Sequence, residues 1–92
     1  MIGYQRFIAE DGRSIEMGVG VTGMVAERLP ALARRLDAEQ GTLVAWECQQ
    51  IAKVLNDILA TEKDDDEQAA ELEHLAQFFR RSGRVTTTRL IG

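Results

Sequence analysis

Two amphipathic segments separated by an acidic run leave this chain few ways to fold. Residues 43–62 place Val44, Cys48, Ile51, Leu55, Ile58 and Leu59 on one side, with Leu43 and Val54 widening it. That spacing is the period of an α-helix, and at 1.5 Å per residue the helix would span roughly 30 Å, the diameter of a small domain. Thr42 is placed to cap it and Gly41 to end whatever precedes it. A charge run follows, with Asp64, Asp65 and Asp66 at its centre, a composition that suits a helix N-terminus because the helix dipole favours negative charge there. A further helix is expected over residues 66–82, with Leu72, Leu75, Ala76 and Phe79 as its apolar stripe, Arg80 and Arg81 in its last turn and Gly83 as a left-handed stop. So short a connection makes the pair an antiparallel helical hairpin.

Strand-forming segments lie on either side of these helices. Residues 4–19 read as a β-hairpin around Asp11-Gly12, a strong signal for a two-residue type I′ turn. In that register Glu10 faces Arg13, Ile8 faces Ile15, Arg6 faces Met17 and Tyr4 faces Val19. Tyr4, Ile8, Ile15, Met17 and Val19 then form the core face, and Phe7 is left outside among polar neighbours. At the other end, Val85-Thr86-Thr87-Thr88-Arg89-Leu90-Ile91 has strong β character. A lone strand is not stable, so it is expected to add to the N-terminal hairpin, the alternative being pairing with another chain.

Residues 23–38 supply one more helix, with Thr22 as its cap and Val25, Leu29, Leu32, Ala33 and Leu36 as its stripe. Pro30 interrupts it, so a kink or a late start is expected. Just before it, Gly18-Val19-Gly20-Val21-Thr22-Gly23 fits the pattern G-x-G-x-x-G. A dinucleotide site would also need a parallel sheet and an acid some ~20 residues on, after a second strand. Asp37 and Glu39 stand near that distance but at the end of the expected helix, so the glycines are read as a flexible strand-to-helix connection. The fold class is therefore α+β, one small domain over residues 1–92, with an N-terminal hairpin, three helices and a C-terminal strand.

Single-copy residues narrow the chemistry. The chain has one Cys (Cys48), one His (His74) and one Trp (Trp46). One thiol on an apolar helix face forms neither an internal disulfide nor a Cys-rich zinc site, and it suits a reducing, cytoplasmic setting. Glu71-Leu72-Glu73-His74 resembles the Glu-x-x-His of ferritin-like di-iron helices. His74 falls about 200° round the helix from Leu72, so an exposed histidine is expected, with no metal and no cofactor. The longest uncharged run, Met17 to Ala26, is ten residues, too short for a membrane span. No basic-then-apolar secretory signal is visible at the N-terminus.

Charge is divided along the chain. The net charge is -4, which does not suit a basic nucleic-acid coat. Residues 1–46 hold six acids and five bases, residues 47–79 nine acids and two lysines, and residues 80–92 four arginines and no acid. Arg80, Arg81, Arg84 and Arg89 are candidate phosphate contacts; the plainer reading is that the first two complete a helix end and pair with nearby acids. Asp64, Asp65 and Asp66 are either a solvated helix start or an acidic recognition face. Trp46 and Phe78 stand off the main helical stripes, as closers of a broad core or as anchors of a dimer or partner interface. Nine arginines against two lysines suit a GC-rich coding source such as a bacterium or its phage.

The leading expectation is a small non-enzymatic interaction protein, an inhibitor, adaptor or regulator that binds another macromolecule and self-associates as a homodimer or higher oligomer. A nucleic-acid-binding regulator using the C-terminal arginines is the alternative, and a small enzyme or metal-binding helical protein comes third.

Overall fold

The computed structural model describes residues 3–36, 40–61 and 66–91. Strand β1 (Gly3–Ala9) turns back into β2 (Ser14–Gly18), which runs directly into helix α1 (Val19–Arg28). A single 3-10 turn (Pro30–Leu32) and the short α2 (Ala33–Leu36) follow, then strand β3 (Gln40–Leu43), helices α3 (Ala45–Thr61) and α4 (Asp66–Arg80), and strand β4 (Val85–Ile91). The four strands form one antiparallel sheet in the order β2-β1-β4-β3. Its inner face is covered by the helices: Phe7, Met17, Leu43 and Val85 join Val25, Leu36, Ile51, Leu55, Leu72 and Phe79 in one core. The fold is α+β as expected, with four α-helices where three were expected and a β-strand at residues 40–43 where a helix cap was expected.

The hairpin turns where Asp11-Gly12 predicted, but through three residues and not two. Ala9 N–H donates to the Arg13 carbonyl at 2.8 Å, and Gly12 N–H donates to the Ala9 carbonyl at 3.0 Å. Gly12 has φ 92°, the one positive value among the described residues, as a three-residue loop with a left-handed glycine requires. Ile8 therefore pairs with Ser14, Phe7 with Ile15 and Arg6 with Glu16. A slip of one residue turns a whole strand over. Phe7 is fully buried and meets Phe79 edge-on at 5.0 Å, while Ile8 is 37% exposed. The expected cross-turn pair is replaced by Arg13 with Asp11, at 2.6 Å. The Arg13 backbone N–H and guanidinium together hold the Asp11 carboxyl below its ordinary range.

One other expectation is corrected here. Thr22 is no cap: α1 begins at Val19 with Gly18 at its N-cap, and the Thr22 hydroxyl donates to the Gly18 carbonyl at 2.9 Å. The G-x-G-x-x-G stretch thus lies mostly inside a helix beside an antiparallel sheet, which leaves no phosphate-binding turn. Pro30 does break the helix, as expected, at Leu29. The C-terminal strand adds to the N-terminal hairpin as expected, β4 pairing with β1; β3 lies on its other side, so the sheet edges are β2 and β3.

Candidate functional site

One end of the molecule gathers Trp46, the exposed aromatic among the described side chains, and most of the C-terminal arginines. Helix α3 starts there for a local reason. The Glu47 carboxylate folds back so that Oε1 accepts from the Val44 N–H at 2.9 Å, half of a capping box. Its other oxygen pairs with the Arg35 guanidinium, which compensates a carboxylate with no solvent exposure. With the first turn fixed this way, Cys48, Ile51 and Leu55 face the core. Trp46, two residues before Cys48 and so about 200° round the helix, points outward and is 61% exposed.

Helix α4 ends beside it. Gln49, one turn beyond Trp46, donates its Nε2 to the Arg80 carbonyl at 2.9 Å. Arg13 donates Nη2 to the Arg81 carbonyl at 3.3 Å, and the Ser82 hydroxyl donates to the Phe78 carbonyl at 2.6 Å. These three side chains satisfy the carbonyls that end the helix, so the left-handed stop expected at Gly83 does not form; Gly83 has no positive φ. Sequence periodicity gave no sign of buried Ser82 or of Gln49 in this role, since both act through tertiary contacts. Val85 then pairs with both Ala9 and Leu43, which brings the hairpin tip and the start of α3 to the same end.

Arg80, Arg81 and Arg84 are exposed here, and none pairs with an acid among the described residues. The plainer expectation of local ion pairs is therefore not met. The structure does not bring Arg89 to them: it lies opposite Gln5 in the sheet, with its own interactions, and four strand residues from Val85 put it about 13 Å up the sheet. Phe78 is separated from Trp46 in character as well. It is 7% exposed, packed edge-on against Phe79 at 5.4 Å, with the Arg13 guanidinium 5.5 Å from its ring centre. The hairpin closes over the side of α4 that the stripe left open, so Phe78 folds inward while Trp46 does not. Asp64 and Asp65 lie outside the described residues, and Asp66 is described only as the backbone start of α4.

A shallow cleft of about 230 Å³ lies between Arg13, Ser14, His74, Gln77, Phe78 and Arg81, smaller than the usual range for small-molecule sites. No hydrogen bond joins Ser14 to His74, so the cleft lacks the nucleophile-to-base link that covalent catalysis uses. Cys48 lies in the core, where burial and the neighbouring Glu47 carboxylate push its thiol up to about 11, the opposite of an activated nucleophile. Among the described residues no three His, Cys, Asp or Glu side chains converge as a metal site would need. No described helix is long and apolar enough to cross a membrane.

No family model matches the chain, and no curated protein or solved structure shows a significant similarity to it.

Proposed function

We propose that this is a binding protein with no chemistry of its own, an inhibitor, adaptor or regulator whose working surface is the end carrying Trp46. The observation that carries this reading is the exposure of Trp46 on a helix start held by Glu47 and Arg35. An indole is the side chain most often found as an energetic anchor in interfaces, and its two torsions cost little entropy to order. Here it sits on rigid secondary structure, which is how a binding group is kept ready. The partner is a macromolecule, because the neighbouring cleft is too shallow to enclose a small ligand.

Self-association is one form of this reading. Two of its supports have changed: Phe78 is inside the fold, and β4 has no free edge. Phe78→Asp would now place a charge among Phe79 and Arg13 and test folding more than association. Trp46→Glu is the sharper variant. Affinity capture from the source cells is expected to recover bound macromolecules with the wild-type chain and to lose them with Trp46→Glu at unchanged melting temperature. Sedimentation equilibrium on the same two proteins tells a second copy from a different partner. Retention of every bound species by the variant would remove the reading.

The placing of Arg80, Arg81 and Arg84 beside Trp46 favours an anionic partner, and with it the nucleic-acid alternative.

A further inference from the structure

We infer that the partner seated on the Trp46 end is a single-stranded nucleic acid, held by base stacking on the indole and by phosphate contacts from Arg80, Arg81 and Arg84; this rests on the binding role proposed above. The net charge of the whole chain argues against any nucleic-acid partner only if charge is spread evenly, and it is not. Trp46 and Thr61 stand at opposite ends of α3, fifteen residues or about 22 Å apart, and the acidic run of the sequence begins just beyond Thr61. On α4 the acid nearest to Arg80 is Glu73, seven residues back and about 10 Å along the axis. Charges further apart than the Debye length, about 8 Å at physiological ionic strength, are largely screened. At the Trp46 end itself, Arg13 is matched by Asp11 and Arg35 by Glu47. Among the described residues, three unmatched arginines are left here against one exposed acid of the hairpin tip, Glu10.

The shape of this end selects among anions. An acidic peptide strand would pair along the edge of β3, four residues that end before Trp46, and would leave the indole unused. A base needs only one open face of an aromatic ring, whatever its sequence. Duplex hides its base faces, and this surface presents the ends of α3 and α4, not a helix flank that would enter a major groove. Arginine forks bind phosphate oxygens in pairs. The exposed Gln50, one turn from Trp46, adds a neutral donor of the kind that contacts the sugar-phosphate backbone. The footprint is small, a few nucleotides.

Trp46 is the only tryptophan, so its fluorescence reports the site directly. The full chain is titrated with dT12, U12, a 12-base-pair duplex and polyglutamate over a range of salt. Quenching by the single strands is expected, well ahead of the duplex, with log K falling against log salt at a slope near -2, as about 0.7 per neutralised phosphate gives for three arginines. The triple variant Arg80→Gln, Arg81→Gln, Arg84→Gln is expected to lose tenfold or more in affinity and most of the slope. With a labelled strand and anisotropy detection, Trp46→Ala is expected to lose about tenfold and Trp46→Phe to keep most of the binding. Circular dichroism melting identifies any variant that fails to fold, and the wild-type titrations stand apart from the variants. Equal affinity for duplex and single strand would overturn the stacking role. Quenching by polyglutamate alone would overturn the inference and leave the binding role with an acidic protein partner. Silence with every probe also overturns it, and the binding role then stands or falls separately on capture by wild type against Trp46→Glu.

Discussion

The α3–α4 hairpin and the α1–α2 path both cover the inner face of the sheet, yet they are built differently. Each helix of the hairpin buries a continuous stripe: Cys48, Ile51, Leu55 and Ile58 on one, Leu72, Leu75, Ala76 and Phe79 on the other. The α1–α2 path holds to the same core through fewer buried apolar side chains, Val21, Val25, Leu32 and Leu36. It carries Gly20 and Gly23 within α1 and breaks at Leu29 before Pro30. The contrast teaches where stability resides. A periodic stripe makes a helix's burial and its hydrogen bonding reinforce each other, whereas a broken path relies on single anchors and opens locally at lower cost. The surface proposed for binding is built on the firm half.

The contrast is broken most severely by Phe79→Ala. This side chain joins α4 to Phe7 of β1 and packs edge-on against its neighbour Phe78, and its loss is expected to destabilise the fold by about 3–5 kcal/mol in denaturant unfolding. A loss under 1 kcal/mol would mean that the hairpin is not the firm half. Next in size is alkaline pH. The Cys48 thiol titrates near 11 in the fold and near its ordinary value of about 9 when unfolded, so the unfolded chain gives up its proton first. Stability is therefore complete below about pH 9, falls as pH rises towards about 11 and levels off above it, by about 2–3 kcal/mol from a shift of two pH units. Cys48→Ala should lack this step, and iodoacetamide at pH 8 should modify the native thiol only as α3 opens. Smallest is Gly23→Ala in α1. A Cβ there meets nothing within 4 Å, so better helix propensity should stabilise the protein by about 0.5–1 kcal/mol. Amide exchange should slow most in α1, and an unchanged α1 rate would show that this segment opens only with the whole domain.

The same contrast separates what could be read in the sequence from what could not. The hairpin helices were legible because stripe, charge at the helix start and length agreed. Pro30 was legible as a break because its ring forbids a regular helix there. The start of α1 was not, because Val19-Gly20-Val21-Thr22-Gly23 is a poor local helix former that tertiary burial of Val21 and Val25 overrides. In the β-hairpin, Asp11-Gly12 located the turn but not its length, and one residue of loop decides whether Phe7 or Ile8 faces the core. Strand β3 is four residues including Gly41, given its conformation by β4 beside it and by no pattern of its own. At the site, helical angle alone put both Trp46 and Phe78 off the core. What distinguished them was the hairpin lying over α4, a contact between residues 65 apart in sequence.

The position of β4 has a kinetic meaning. The strand that follows every other element in the chain occupies the interior of the sheet, with β1 on one side and β3 on the other. Gly3 pairs with Ile91, so the ladder at the centre of the sheet closes a loop of nearly the whole described chain. Until residues 85–91 are available, β1 and β3 have no neighbour between them, and neither half of the sheet can support the other. Contacts of such long sequence separation slow folding, since the entropy of loop closure is lost before the pairing compensates it. On a ribosome, the helices and the first hairpin would emerge and wait, and the domain would close in one late step.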